Sequence, residues 1–205
     1  MDSPATSVAD RLRERAGSLR RGAMDEFGDA PVLDPVPVTP PPWHDYHEHP
    51  DTVDQQLDQM AGIGGTILVE NGRVLLLQKG WTDGWDTPGG ALEPGESLAE
   101  TAAREAVEET NLDVELVDLL YTRDLAYDYG GPDRIHVPVG CFLAEPRGGN
   151  LAVPWHYVSD GSPEITELEW FGPDDLPEGI RDRELMQDIL CGDEDRPTSP
   201  VETLV

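Results

Sequence analysis

Residues 88–97, and the helix predicted to follow them, constrain this chain more than any other feature. Ser97 is followed three residues later by Glu100, a pairing that caps the N-terminus of a helix. Asn111 is suited to the left-handed conformation in which many helices end. The sequence therefore predicts a helix of about four turns that begins after Ser97 and ends near Thr110.

The predicted helix places three carboxylates on one arc. At about 100° per residue its small apolar side chains form a broad stripe that suits close packing on a sheet: Leu98, Ala99, Ala102, Ala103 and Ala106. Glu105, Glu108 and Glu109 lie at one edge of this stripe, with Glu109 partly turned toward the core. Like charges at such spacings cost roughly 0.2–0.5 kcal/mol per pair, and the single positive charge of Arg104 cannot neutralise them. A hard divalent cation would; the alternative is a solvated acidic face.

The spacing around these carboxylates closely resembles the Nudix box, the signature of hydrolases that act on nucleoside diphosphates linked to another moiety. Gly90 is followed after five residues by Glu96 and, after seven more, by the sequence REAVEETNL at residues 104–112. The chain departs from the family pattern at one position, Asn111, where the family has glycine. Because asparagine tolerates positive φ, we expect the backbone turn to be retained.

The resemblance implies a fold and an activity. The fold would be of the α/β class, a Nudix-type α/β/α sandwich with a mixed β-sheet, here with an N-terminal helical extension. The activity would be that of a metal-dependent pyrophosphohydrolase, which releases a nucleoside monophosphate and a phosphorylated product. A nucleotide-sensing Nudix module without catalysis is the alternative of another class, although such proteins usually lose a carboxylate of the box.

The resemblance also implies the residues of the site. A Mg²⁺ or Mn²⁺ ion would be bound by Glu105, Glu108, Glu109 and the carbonyl of Gly89. Glu96 and Arg104 would orient these ligands. Pro88 and Gly89 suit the central positions of a type II turn, which would direct the Gly89 carbonyl at the metal.

Two carboxylates are candidates for the general base. Glu105 lies beside the metal, but a ligand that gives its lone pairs to a cation is a weakened base. Glu164 belongs to a turn-rich loop, residues 160–164, and stands six residues before Trp170, a spacing like that of a loop glutamate in the family. Glu167 and Glu169 are expected to face solvent, because side chains alternate along the strand that leads to Trp170.

The substrate is less constrained than the chemistry. Family frequency alone favours ADP-ribose or a nucleoside-diphosphate sugar. The alternatives are a nucleoside triphosphate and a dinucleoside polyphosphate, the latter supported only by Tyr127 and Tyr129 in a loop that also holds Arg134. Trp85, just before the box, either stacks on a base or packs beneath its loop. These four residues are the candidate substrate contacts.

The N-terminal part is expected to be an arm, residues 1–42, before a catalytic domain at residues 43–191 and a polar tail at 192–205. Residues 8–27 predict a helix with five arginines against Glu14 near its centre. We expect this basic helix to dock on an acidic body, its own or a partner's, in preference to a membrane surface or nucleic acid. Six prolines make the connector stiff, so removal of residues up to Pro42 should leave a folded, active domain.

Composition places limits on environment and partners. The formal net charge is −28, and Lys79 is the only lysine beside thirteen arginines. This composition resembles that of salt-in halophiles, with a mesophilic acidic protein as the alternative, and it disfavours nucleic acid as a partner. No apolar run reaches membrane-spanning length and no signal peptide is evident, so we expect a cytoplasmic protein. A homodimer is left open.

The remaining features predict the frame of the domain. Residues 63–70 and 73–79 form a hairpin around Asn71-Gly72, strands follow at 114–122, 135–144 and 168–171, and a last helix at 181–190. Three histidines, His44, His47 and His49, could hold a transition metal, but we interpret them as part of a surface loop outside the active site.

Overall fold

The computed structural model describes residues 6–40, 48–80, 84–131, 133–155 and 163–192. In chain order its helices and strands are α1 (Val8–Phe27), β1 (Val36–Val38), α2 (Val53–Gln59), β2 (Ile63–Glu70), β3 (Arg73–Lys79), β4 (Trp85–Asp86), β5 (Gly89–Ala91), α3 (Leu98–Thr110), β6 (Leu112–Tyr127), β7 (Ile135–Gly149), β8 (Ile165–Phe171) and α4 (Arg183–Cys191).

The strands of the described ranges form one mixed sheet. Its main path runs β1-β6-β7-β2-β3-β4, while β5 pairs with β2 and β8 pairs with β3. The β1–β6 and β2–β7 pairs are parallel, and the other pairs are antiparallel. The parallel β2–β7 pair brings the first hairpin against the long β6–β7 ribbon.

Helices cover both faces of this sheet. Cys141 and Phe142 are adjacent on β7 but belong to different hydrophobic clusters, because successive side chains of a strand point to opposite faces. Phe142 lies in a cluster with Leu98 of α3 and residues of α1. Cys141 lies in a cluster with Met186 of α4. The predicted α/β/α sandwich with a mixed sheet and an N-terminal helix is confirmed.

The helix of the box has the ends that the sequence predicts. Ser97 and Glu100 form a reciprocal capping box at its N-terminus, and the helix ends at Thr110. Asn111 adopts the left-handed conformation with φ 59° and donates its backbone N–H to the carbonyl of Val107. Asparagine therefore supplies the turn that glycine supplies in the family pattern.

The N-terminal segment, which the sequence predicts to be a separate arm, packs directly on the sheet. Ala16 of α1 is fully buried, and Leu12 is 3% exposed. Arg20 of α1 forms an ion pair with the buried Asp124 of β6, so the helix docks on an acidic group of its own body. Residues of the connector form β1, which extends the sheet beside β6. The expectation that a stiff connector isolates the helix from the core is wrong, because both segments contribute to that core. The boundary at residue 42 itself stays a prediction.

The long β6–β7 pair differs from the prediction in its length. Both strands extend beyond the predicted ranges, and the pairing continues to Tyr127 opposite Ile135. Three register shifts interrupt it, and such irregularities break the alternating apolar pattern that locates a strand. Tyr127 is consequently a strand residue instead of a loop residue.

The predictions for the histidine cluster, for the loop at 160–164 and for the polar tail fall largely outside the described residues. His44 and His47 lie outside them, as do residues 160–162 and the tail from 193. His49 is described, and its ring packs edge-on against Tyr129 at a centroid distance of 5.6 Å. Within the described residues no helix is long and apolar enough to cross a membrane.

Candidate active site

Glycines allow α3 to lie almost against the backbone of the sheet. A Cβ atom added at Gly64 of β2 would lie 2.5 Å from the backbone nitrogen of Ala102 and 2.5 Å from the carbonyl oxygen of Leu98. The short strand β5 pairs with β2 so that Gly90 faces Gly64 and Gly89 faces Gly65. This close packing brings β5 beside the half of α3 that carries the glutamates.

Glu109 is the buried member of the carboxylate group. The residue is 3% exposed, and its Oε2 accepts a hydrogen bond of 2.8 Å from the backbone N–H of Gly89. Lys79 Nζ lies 2.9 Å from Glu109 Oε1 and 3.0 Å from the carbonyl oxygen of Gly89. Burial raises the pKa of Glu109 to about 7, while the Lys79 ammonium opposes that rise. The alternative of a solvated acidic face is therefore wrong for this residue.

Arg104 connects the other carboxylates of the site. Its Nε donates to Glu96 at 2.8 Å, and its Nη1 donates to Glu105 at 2.8 Å and to Glu108 at 3.0 Å. Nη2 donates to Glu96 at 3.1 Å and to the carbonyl of Ala91 at 2.9 Å. The hydrogen bond from Arg104 is the main reason that the pKa of Glu96 falls to about 2. Glu96 thus stays ionised and fixes the guanidinium.

Glu105 and Glu108 present their carboxylates to different surroundings. Burial raises the pKa of Glu105, and the Arg104 guanidinium counteracts it. The Glu105 carboxylate fills the space beside Gly90, where an added Cβ would lie 2.4 Å from its Cδ. The side chain of Glu108 is 45% exposed. A ligand bound between these two carboxylates would face solvent on the Glu108 side and the protein interior on the Glu105 side.

The predicted type II turn at Pro88-Gly89 is wrong. Such a turn requires positive φ at its third residue, whereas Gly89 has none and begins strand β5. Pairing with β2 holds this backbone extended, because the carbonyl of Pro88 accepts a hydrogen bond from the N–H of Thr66 at 2.9 Å. The Gly89 carbonyl still points into the site, where it contacts Lys79.

The donor set suits a hard divalent cation. Its atoms would be carboxylate oxygens and one backbone carbonyl oxygen, which Mg²⁺ and Mn²⁺ prefer. The buried Glu109 Oε1 receives no hydrogen bond of good geometry within the described residues, although Lys79 Nζ lies near it. The same part of the chain contains no three acidic, histidine or cysteine side chains already grouped around one metal position. Arg104 and Lys79 occupy the spaces between the carboxylates.

Glu164 lies where two strands meet near this group. Its backbone carbonyl accepts a hydrogen bond of 2.9 Å from the N–H of Gly80, the residue after Lys79. The backbones approach so closely here that only glycine fits at position 80, since an added Cβ would lie 2.3 Å from the carbonyl oxygen of Pro163. Glu164 is half-buried, whereas Glu167 is exposed on β8. The structure therefore holds Glu164 beside the strand end that reaches the carboxylates.

The four candidate substrate contacts lie in different surroundings. The Trp85 ring packs edge-on against Phe171 at a centroid distance of 4.8 Å. Tyr127 is 9% exposed and stacks with Tyr129 at 6.2 Å, beside residues of α1. Arg134 is exposed and forms an ion pair with Asp128 at 3.4 Å. Their role as substrate contacts stays a prediction, and packing accounts for the contacts of the three aromatic rings.

Lys79 is the residue that the sequence analysis did not assign to the site. Its position at the end of an apolar strand is typical of an exposed strand terminus. The signal that could have identified it is compositional, because a chain that uses arginine at every other basic position places its one lysine here.

Comparison with known proteins shows the family. A family model described as the NUDIX domain matches residues 58–189 of the chain. A MutT-like protein of Streptomyces ambofaciens is 30% identical over 118 residues, which cover 58% of this chain and 67% of that protein. An RNA pyrophosphohydrolase of Erythrobacter litoralis (strain HTCC2594) is 28% identical over 103 residues, covering 45% of this chain and 62% of that protein. This chain thus spans about two thirds of the length of these relatives.

One solved structure agrees with this assignment. The crystal structure of a NUDIX hydrolase from Nitrosomonas europaea superposes with a TM-score of 0.50 at 25% identity. The superposition covers 67% of this chain and 73% of that chain.

Proposed function

The chain belongs to the Nudix hydrolase family, and we propose that it is a metal-dependent pyrophosphohydrolase. Its substrate would be a nucleoside diphosphate linked to another moiety, which it would cleave to a nucleoside monophosphate and a phosphorylated product. The observation that carries this proposal is the buried Glu109 carboxylate, hydrogen-bonded to Gly89 and grouped along α3 with Glu105 and Glu108. Burying a carboxylate is costly, so this arrangement supports a site that a cation completes.

Each side chain of the group has a distinct part in this proposal. A Mg²⁺ or Mn²⁺ ion held by Glu105, Glu108, Glu109 and the Gly89 carbonyl would neutralise charge on the phosphoryl oxygens and acidify a bound water. Arg104 holds Glu105 and Glu108 at a fixed spacing through its Nη1. Glu96 fixes Arg104 from the opposite side. Glu164 is the general base in this proposal, with Glu105 as the alternative.

For the substrate we propose ADP-ribose or a nucleoside-diphosphate sugar. The dinucleoside polyphosphate alternative depended on Tyr127 and Tyr129, whose rings pack on one another and beside α1. A screen of nucleotides with Mg²⁺ and phosphate detection tests the choice. Turnover of diadenosine polyphosphates or nucleoside triphosphates in preference to diphosphate-linked sugars would reject it.

A comparison of two variants tests the reaction class. Glu109→Gln should lower turnover and raise the Mg²⁺ requirement, because the buried ligand is lost. Glu115→Gln is the matched control, since Glu115 is exposed on β6 and pairs with Arg147 outside the site. Tight metal-dependent binding of a nucleotide by the unmodified protein, without turnover, would favour the nucleotide-sensing alternative.

We also propose a halophile-like cytoplasmic setting, based on the net charge of −28. Self-repulsion of this size destabilises a compact chain, and molar salt screens it within about 3 Å. A thermal melt series in KCl should therefore show a rising midpoint. A flat or falling midpoint would favour the mesophilic alternative.

A further inference from the structure

Lys79 bridges two groups that the proposed function assigns to the metal. The ammonium lies 3.0 Å from the carbonyl oxygen of Gly89 and 2.9 Å from Glu109 Oε1. Its side chain is 15% exposed and that of Glu109 is 4% exposed, so the bridge is largely shielded from water. Lys79 is thus a largely buried counter-charge inside the carboxylate group.

The choice of lysine at this position is informative. The chain has thirteen arginines, and among the described residues the ion pairs outside the site are formed by arginine or histidine. A guanidinium is a planar fork that binds carboxylates side-on, whereas an ammonium is a compact charge on a flexible stem. As a compact charge that contacts one carbonyl oxygen and one carboxylate oxygen, the ammonium resembles a metal ion more closely than a guanidinium does. The flexible stem also allows it to leave.

We propose that Lys79 is a built-in counter-ion that holds the Gly89 carbonyl and the Glu109 carboxylate until a divalent cation displaces it. The inference rests on the proposed function, because it uses the ligand set proposed there. An ammonium and a divalent cation carry like charge and require the same two oxygens, so they exclude one another from them. Lys79 is accordingly a positioning residue: it keeps the metal-free site assembled and reduces its affinity for the cation.

Manganese binding without substrate tests this competition. In Lys79→Met the cation no longer competes with an ammonium, and we expect the affinity for Mn²⁺, measured by the EPR signal of the free ion, to rise by roughly tenfold. The metal-free variant should also melt at a lower temperature than the unmodified protein, since Glu109 loses its counter-charge. Saturating Mn²⁺ should abolish this difference, because the bound cation then supplies the counter-charge.

The matched control is Arg147→Met. This substitution removes the same formal charge, but Arg147 is exposed and pairs with Glu115 and Glu145 on β6 and β7. Its Mn²⁺ affinity should stay within about twofold of the unmodified protein, because exposed charges far from the site are screened. An equal rise in both variants would mean that net charge, and not competition at the site, sets the affinity.

The single lysine provides a second, independent measurement. Amine acylation of the unmodified protein can modify only Lys79 and the N-terminal amine, which serves as the internal reference. If the cation displaces the ammonium, Mn²⁺ at constant pH should increase acylation of Lys79, measured by peptide mass spectrometry, relative to that reference. Unchanged or reduced acylation would overturn the proposal.

The outcomes separate this inference from the proposed function. Unchanged or weaker Mn²⁺ binding in Lys79→Met, with binding that still depends on Glu109, would reject the counter-ion role and leave the metal site intact. Mn²⁺ binding that is insensitive to Glu109→Gln would instead reject the proposed ligand set, and the inference with it.

Discussion

A Cβ atom added at Gly90 would lie 2.4 Å from the carboxyl carbon of Glu105, and one added at Gly64, its partner across the β2–β5 pair, would lie 2.5 Å from backbone atoms of α3. The two glycines face each other in register but meet different obstacles. A side-chain carboxylate can move away, whereas the backbone of a packed helix cannot. Substitution of Gly90 should therefore affect the site, whereas substitution of Gly64 should affect the packing of α3 on the sheet.

Gly90→Ala should impair activity more than stability. The methyl group would displace the Glu105 carboxylate from its place beside Arg104, with only small shifts in the backbone, because Gly90 does not need positive φ. We expect kcat to fall by at least tenfold and the Mg²⁺ requirement to rise, while the melting temperature changes by only a few degrees. Kinetics across a metal titration, beside a thermal melt, check this. Normal kinetics would show that Glu105 need not occupy this place.

Gly64→Ala should have the opposite effect. Its methyl group would meet the Leu98 carbonyl and the Ala102 nitrogen, so α3 must shift away from β2. Overpacking of this kind typically costs about 1–3 kcal/mol, occasionally more. Denaturant unfolding measures the loss, and a second variant at Gly22, where no atom lies within 4 Å of an added Cβ, is the control for a glycine change without a clash. Equal stability of Gly64→Ala and the unmodified protein would contradict the close packing.

The N-terminal segment should be required for full stability. Deletion of residues 1–42 would expose the surface that Leu12, Ala16 and Ala23 cover, and would remove strand β1 and the arginine that pairs with Asp124. We expect a substantially lower melting temperature, against the expectation from the sequence alone. A truncated protein that melts like the full chain would show that the N-terminal segment is a separable arm.

Gly22→Ala should raise the free energy of unfolding by about 0.5–1 kcal/mol, because Gly22 is inside α1 and its added methyl group contacts nothing within 4 Å.

The sequence predicted the elements whose signals are local. Asn71-Gly72, Ser97 with Glu100, and Asn111 each act within a few residues, and the structure has the hairpin and both helix ends there. The docking of α1 and the role of Gly64 depend on contacts between distant parts of the chain, such as Arg20 with Asp124. No periodic pattern encodes such contacts. Lys79 was missed for the same reason, since its partners, Gly89 and Glu109, lie on other elements.

The stability of the metal-free protein should depend on pH through Glu109. Burial raises its pKa from 4.5 to about 7, so the protonated form is favoured in the folded state. The stability linked to this proton is fully present below pH 4.5 and is lost as the pH rises through about 7. Glu109→Gln cannot ionise, and should therefore become more stable relative to the unmodified protein across this range, by roughly 3 kcal/mol in total. Thermal melts of both proteins in EDTA and constant high salt measure the difference. Parallel curves would mean that Lys79 keeps Glu109 ionised throughout.

The general base can be assigned by comparing Glu164 with Glu105. Glu105 is fixed by Arg104 and is a proposed ligand, so its loss should affect metal affinity and kcat together. Glu164 is half-buried just before β8, and its backbone carbonyl accepts a hydrogen bond from the N–H of Gly80, beside Lys79. General base catalysis is typically worth about 10²–10⁴ in rate.

We therefore expect Glu164→Gln to lower kcat within that range while the apparent Mg²⁺ affinity changes little. Glu109→Gln, and Glu108→Gln to a smaller degree because its side chain is more exposed, should raise the Mg²⁺ requirement as well. Glu167→Gln is the matched control, since Glu167 is exposed on β8, three residues after Glu164, and its substitution should leave both constants unchanged. Steady-state kinetics across a metal titration distinguish these patterns. Near-normal kcat in Glu164→Gln, with a large loss in Glu105→Gln, would return the role to Glu105, whose raised pKa suits a group that accepts a proton from water.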